Sequence, residues 1–205
     1  MSNVTNVLLC GVGGQGVLLA SEVLALVAAE EKAQVKQTEV HGVAQRGGSV
    51  VSHLRFGDLV YSPTVRTGTG DILVAFERLE AVRYGHYLKP GGLMLINDIE
   101  VMPGQMGEYQ PYPTGIIEFL QSKAFKIEEI PATALAKAHG NSKVSSLIIL
   151  GALSSYLDLS QQAWERVIRK RIPPKLVDIN LQAFKVGVEM AQAKAQAAVD
   201  RAECN

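Results

Sequence analysis

Two glycine-rich segments hold the residue types and spacings that point to chemistry. The first, Gly11-Val-Gly-Gly-Gln-Gly16, follows the short apolar run from Val4 to Cys10 and precedes a stretch rich in Leu, Ala and Val. Between a strand and a helix, Gly-x-Gly-x-x-Gly lets the backbone approach a diphosphate. The helix start adds free N–H groups and the positive end of its dipole. Gly11, Gly13, Gly14, Gln15 and Gly16 are therefore candidate contacts to a phosphate-bearing ligand. A dinucleotide site also calls for an acidic residue about 20 positions on, at the end of the second strand, to hold a ribose hydroxyl. Glu39 stands near that place. It runs, however, into a second glycine segment, His41-Gly-Val-Ala-Gln-Arg-Gly-Gly48, and then into another strand rather than a crossover helix. Alone, the first segment fits either a nicotinamide or flavin dinucleotide site or a tight turn that needs glycine only for packing.

Other constellations offer less. His41, His53, His86 and His139 are scattered, without His-Glu-x-x-His spacing or a close cysteine partner. They are expected at the surface or at helix caps, with His41 the one placed for a role. Cys10 and Cys204 are too few for an iron–sulfur cluster or a disulfide framework, so no metal or redox cluster is expected on this chain, and Cys10 reads as a small buried hydrophobe. Glu128 and Glu129 are adjacent on an expected strand, face opposite sides and cannot act as a carboxylate pair. Arg166, Arg169, Lys170 and Arg171 form a basic cluster whose expected use is dipole complementation on a solvated face. Trp164, on the same helix, is expected in the core. Ser154 and Ser155 lack a nucleophile elbow, and no catalytic triad is evident, so no residue is assigned a catalytic role.

The elements that position these residues follow from periodicity. The chain has 205 residues, 47 % of them hydrophobic and 20 % charged, with twenty basic against twenty acidic side chains. A single domain of this size buries about 70 % of its unfolded surface, and zero net charge argues against electrostatic binding to nucleic acid. No apolar run reaches membrane length, and Met1 to Asn6 carries no basic flank, so a cytoplasmic protein is expected. Strands are predicted at Val4–Cys10, Gln34–Val40, Ser49–Phe56, Asp71–Ala75, Leu93–Asn97 and Phe125–Ile130. Leu59–Tyr61 is expected to pair back on the third strand as a hairpin. Helices are predicted at 17–30, 77–87, 115–122, 132–138 and 143–156, then at Gln161–Arg171 with Ser160 as its N-cap, and from about Lys175 to Ala198. Residues 101–114, with three prolines, read as a long loop or ragged edge strand. The tail from Ala191 is expected to fray or to pack on a partner. This order predicts an α/β fold: a Rossmann-like open sheet, mainly parallel with an antiparallel excursion near 49–61, and a helical C-terminal part.

Both glycine segments together carry a family likeness. Gly11-Val-Gly-Gly-Gln-Gly-Val17, Glu39-Val-His-Gly-Val-Ala-Gln-Arg-Gly-Gly-Ser-Val-Val51 and His53-Leu-Arg55 resemble the gamma-type domain of the 2-oxoacid:ferredoxin oxidoreductases. The likeness continues through Asp71–Ala75, Leu93–Asn97, Gly140-Asn141, Leu150-Gly-Ala152 and Asn180-x-x-Ala-Phe184-x-x-Gly187, so it spans nearly the whole of residues 1–205. Ser145-Ser146 depart from it, standing where an asparagine is expected.

The resemblance implies an enzyme complex that decarboxylates a 2-oxoacid on thiamine diphosphate, passes electrons through iron–sulfur clusters to ferredoxin and releases an acyl-CoA. Thiamine sites of this kind use Gly-Asp-Gly and a later asparagine for magnesium, whereas Gly57-Asp58 here runs into Leu59 and Gly70-Asp71 into Ile72. It therefore implies that thiamine diphosphate, magnesium and the clusters reside on a larger alpha subunit. This chain would be the accessory subunit of a hetero-oligomer, inactive alone, with CoA as co-substrate and an aryl pyruvate such as indolepyruvate as substrate. On that reading Gly11 to Gly16 either face a phosphate-bearing group such as CoA or, with the second segment, form subunit interface and touch no ligand. His41, Gln45, Arg46, Gly47 and Gly48 meet the larger subunit near its thiamine site, where a guanidinium suits carboxylate or phosphate. Alone, the chain could homodimerise through surfaces meant for the partner. A stand-alone NAD(P)-dependent reductase and a non-catalytic binding module remain the competing readings.

Overall fold

In a computed structural model, residues 4–32, 34–41, 47–102 and 111–203 are described. Their strands β1 (Val4–Val12), β2 (Gln34–His41), β3 (Ser49–Gly57), β4 (Gly70–Ala75), β5 (Leu88–Asn97) and β6 (Lys126–Ile130) form one sheet of order β2-β3-β1-β4-β5-β6. β1, β4, β5 and β6 run parallel, while β3 is antiparallel to both β1 and β2. The helices are α1 (Val17–Glu31), α2 (Arg78–Tyr84), α3 (Ile116–Gln121), α4 (Ala132–Ala138), α5 (Ser145–Ser154), α6 (Gln161–Arg171) and α7 (Val177–Glu203). None of them is long and apolar enough to cross a membrane.

Strand alternation sends the sheet's side chains into two cores. Val7, Leu9, Leu54, Phe56, Val74 and Leu95 pack beneath α1, α5, α6 and α7. Leu8, Cys10, Val51, Leu73, Met94 and Ile96 pack beneath α2 and α3. β1 is thus buried on both faces, which is why Val7 to Cys10 reads as an unbroken apolar run rather than an alternating one. Cys10 and Trp164 are core residues as expected. Trp164 stacks obliquely on Phe184 at 5.4 Å between ring centroids.

α5 is apolar around its whole circumference and buried from Ser146 to Ser154. It meets α7 backbone to backbone: a Cβ at Gly151 would lie 2.0 Å from the Phe184 carbonyl oxygen, and one at Gly187 would lie 1.9 Å from that of Ile148. α6 is capped as expected, with Ser160 Oγ accepting from the Ala163 N–H at 3.2 Å. Its basic cluster does more than face solvent. Arg166 pairs with Glu30 at 2.8 Å and Arg171 with Glu22 at 2.6 Å, tying α6 to α1. The bond from Arg171 also holds the Glu22 carboxyl below its ordinary pKa.

Three expectations are corrected. Leu59–Tyr61 forms no strand, because both edges of β3 are already taken by β1 and β2, so no ladder is left to join. The antiparallel excursion therefore ends at Gly57. Residues 58–69 lie instead as a pinned loop: Val60 and Val65 are buried, the Val60 N–H donates to Gln34 Oε1 at 2.8 Å, and that of Val65 to His53 Nδ1 at 3.3 Å. His53 is consequently a core residue, 3 % exposed, not a surface one. The last helix runs to Glu203 rather than ending near Ala198, with residues 192–197 exposed. Residues 103–110 of the proline-rich stretch lie outside the described residues.

Two outcomes follow. Gly151→Ala should cost at least about 3 kcal/mol in urea unfolding, because backbone rather than a movable side chain blocks the new methyl group. A cost under about 1 kcal/mol would contradict the close crossing. Burial also holds the His53 imidazole below its ordinary pKa. Below a pH of about 6.5 the unfolded chain then binds a proton that the folded chain refuses, so stability falls as pH drops through that value toward the folded pKa. Thermal denaturation across that range should show a flatter slope for His53→Phe than for the unaltered protein.

Candidate functional site

The first glycine segment leaves the C-terminal end of β1, beside the parallel strand β4, whose continuation bonds back through Phe76 N–H to the Cys10 carbonyl at 2.8 Å. Crevices at the C-terminal ends of parallel strands are where open α/β sheets bind ligands. The individual glycines divide by role. A Cβ at Gly11 would come within 2.8 Å of Phe76 and Val17, so this position serves close strand–helix packing. Gly16 is the N-cap of α1 in the left-handed region at φ 84°, with a Cβ only 3.1 Å from Ser146 of α5. Gln15 turns inward: its Oε1 accepts from the Val12 N–H at 2.7 Å and braces the turn. Gly14, at φ 102°, is exposed with open space where a side chain would stand, and together with Gly13 it presents backbone outward.

The second glycine segment meets the first. The Gly13 N–H donates to the Gly48 carbonyl at 2.9 Å, and Gly47, exposed at φ 77°, adjoins it. His41 ends β2 opposite Val50 of β3, at the start of the same connection. The structure thus brings Gly13, Gly14, Gly47 and Gly48 onto one surface and leads His41 toward it. Gln45 and Arg46 lie outside the described residues.

Beneath this surface is a polar cluster that sequence reasoning missed. Ser49, which follows Gly48, donates to the buried Glu80 carboxylate and shares a 3.0 Å bond with the Tyr84 hydroxyl. Arg83 pairs with the other Glu80 oxygen at 2.9 Å. Glu77 caps α2, accepting from the Glu80 N–H at 2.9 Å, and also takes bonds from the Val101 N–H and the Tyr112 hydroxyl. Burial, then the Glu77 contact, pushes the Tyr112 hydroxyl far above its ordinary pKa. Burial, then the Glu80 and Glu77 charges, pushes the Cys10 thiol up, so it is no nucleophile. The available signal was Glu77-x-x-Glu80 directly after a buried strand, which places carboxylates on a helix's first turn.

Alongside, a cavity of about 370 Å³ is lined by Arg78, Glu100, Tyr112, Glu118 and Glu129. Burial works against the Arg78 charge, but Asp98 at 2.5 Å and Glu129 at 2.9 Å outweigh it and hold the guanidinium above its ordinary pKa. Glu128 points away to Tyr156, so the two adjacent glutamates face opposite sides as expected.

Among the described residues no group of His, Cys, Asp or Glu is arranged to hold a metal ion. Cys10 is buried, and Asp71 is committed to Asn6 and to Lys89 at 2.6 Å. These donors do not fit magnesium with thiamine diphosphate, nor an iron–sulfur cluster. The dinucleotide reading meets a geometric obstacle too: β3 lies between β1 and β2, so Glu39 is held a strand further away than a ribose-binding acid requires. Glu39 instead accepts from Gln37 at 2.9 Å and Ser21 at 3.3 Å. What the surface offers is backbone N–H groups and a helix N-terminus, suited to an anion or to another chain's polar groups.

A family model for pyruvate ferredoxin/flavodoxin oxidoreductase matches residues 6–190. The indolepyruvate oxidoreductase subunit IorB of Thermococcus kodakarensis is 38 % identical over 195 residues, covering 91 % of this chain and 96 % of that protein. The 2-oxoglutarate synthase subunit KorC of Methanothermobacter thermautotrophicus is 30 % identical over 186 residues, covering 89 % and 92 %. Among solved structures, the gamma subunit of a keto/oxoacid ferredoxin oxidoreductase from Geobacter sulfurreducens aligns with a TM-score of 0.70 at 25 % identity, covering 92 % of this chain and 99 % of that one.

Since Gln15 braces the first turn, Gln15→Ala should lower stability by about 1 kcal/mol in urea unfolding. A wild-type midpoint would show that the side chain is spare and free for a ligand.

Proposed function

This chain belongs to the pyruvate ferredoxin/flavodoxin oxidoreductase family, and we propose that it is the accessory subunit of a 2-oxoacid:ferredoxin oxidoreductase that acts on an aryl pyruvate, with indolepyruvate first among the candidates. What carries the reading is the end-to-end match to a subunit of an indolepyruvate oxidoreductase. Thiamine diphosphate, magnesium and the iron–sulfur clusters belong on a larger alpha subunit, and no step of the reaction runs through residues of this chain. Residues 1–205 act as one gamma-type domain, in the cytoplasm, without turnover in isolation.

The contribution of this chain is positional. Gly14 offers backbone to a phosphate-bearing group, with CoA the co-substrate whose chemistry fits, while Gly13 ties the turn to Gly48. The joined second segment, through His41, Gln45, Arg46, Gly47 and Gly48, meets the larger subunit near its thiamine site. A guanidinium there holds a CoA phosphate or a partner carboxylate with two parallel bonds, which a lysine would not reproduce.

Recovery of the tagged chain from its native source should bring a larger subunit carrying thiamine diphosphate and iron, with arylpyruvate-dependent dye reduction. In that complex, Arg46→Ala should raise the KM for CoA about tenfold, the scale of one charge-assisted hydrogen bond. Unchanged turnover and unchanged CoA dependence would remove the ligand role. A lone chain whose melting temperature rises with NAD(P) would support the reductase reading instead, by stabilising the native state through binding.

A further inference from the structure

At the end of the sheet opposite the glycine segments lies a groove of about 640 Å³ between the start of β1, the end of β3 and the 58–69 loop. Its lining contains two guanidinium groups, those of Arg55 and Arg66, and, among the described residues, no acidic side chain. Arg55 spends its bonds on neutral acceptors, Asn6 Oδ1 at 2.7 Å and the Ser62 carbonyl at 2.8 Å, so its charge is not cancelled. Arg66 has no ion pair among the described residues. Lys36 of β2 stands directly opposite Arg55 in the ladder and adds to the same sign of charge. The nearest acids do not offset it: Asp71 is already paired with Lys89, and Asp58, exposed at the start of the loop, is outside the lining. In a chain of zero net charge, this is a local cationic excess.

The same loop displays apolar surface from a fixed frame. Tyr61 is 85 % exposed and Leu59 40 %, while Val60 between them is buried. The loop is pinned by the bonds of Val60 to Gln34, Val65 to His53 and Arg55 to Ser62, and further on by the Gly68 N–H to the His86 carbonyl at 3.1 Å. A tyrosine and a leucine held outward by a loop whose ordering cost is already met in the free protein are poised for association. Tyrosine and arginine are the side chains that most often dominate such contacts.

We infer that this groove is a second docking surface, which receives a segment of the larger subunit carrying carboxylates beside an apolar side chain. Tyr61 and Leu59 cover the apolar part, and Arg55 and Arg66 pair the carboxylates. The surface rests on the accessory-subunit reading but is independent of the glycine segments, which lie at the other end of the strands. The larger subunit is thereby gripped at both ends of the sheet.

The test uses the complex of the full chain with the larger subunit recovered from the native source, with affinity measured at low and high salt. Tyr61→Ala and Arg66→Glu should each weaken assembly at least tenfold. The Arg66→Glu deficit should shrink at about 1 M salt, where charges are screened within about 3 Å. Both side chains are exposed, so melting temperatures should move by no more than about 2 °C. If the unaltered chain assembles and both variants assemble equally tightly, the docking surface is wrong and the accessory role stands. If the unaltered chain captures no thiamine- and cluster-bearing subunit, the accessory role itself falls. Loss of a homodimer in the variants, with heteromer affinity unchanged, would assign the groove to a second copy of this chain and overturn the inference.

Discussion

β1 is hydrogen-bonded along both edges, to β4 running with it and to β3 running against it, and is covered on both faces. Most of the molecule's particular features depend on the second of those pairings. By entering between β1 and β2, β3 brings the connection that precedes it, with Gly47 and Gly48, against the turn that leaves β1. Two loops far apart in sequence become one surface through a single backbone bond, Gly13 to Gly48. The same insertion pushes β2 out to the sheet's edge and takes Glu39 with it. It also leaves residues 58–69 no free edge of β3 to return to, and they lie down as a loop and close over His53.

Local signals made the parallel half of the fold legible. Strand runs such as Asp71–Ala75 and Leu93–Asn97 are short, apolar and bounded by turn residues, and Ser160 announced α6 through cap chemistry that needs no tertiary context. The sequence could not show which strand takes which edge. A run such as Ser49–Phe56 alternates identically whether its neighbour is β1, β2 or a returning hairpin, so its pattern does not exclude a pairing with Leu59–Tyr61. The burial of His53 is illegible for a linked reason: a histidine in an apolar strand is buried only if something covers it, and its cover is the 58–69 loop, whose place depends on that same pairing.

Of the candidate site, the glycines were readable because their spacing is local, but their division of labour was not. Gly11 answers to Phe76 and Gly16 to Ser146, residues distant in sequence whose proximity only the fold creates. That Gln15 braces the turn through the Val12 N–H is equally invisible in its spacing. The Glu77–Glu80 cluster escaped notice because carboxylates at the start of a helix ordinarily sit in solvent. Here Ser49 and Tyr112 reach them from outside α2, Arg83 pairs with Glu80 from within it, and Tyr84 of the same helix steadies Ser49, which makes their burial tolerable. The arrangement fixes the foot of the second glycine segment through Ser49.

The crossing of α5 over α7 has a consequence for how this sequence can drift. At most interior positions an enlarged side chain can be accommodated by shrinking a neighbour, so change spreads over pairs of residues that trade volume. At Gly151 and Gly187 the obstacle is main chain, which has no volume to trade. Neither position can be released by any substitution at the other, and the two glycines are locked independently. A variant that carried alanine at either one would have to move a whole helix to survive.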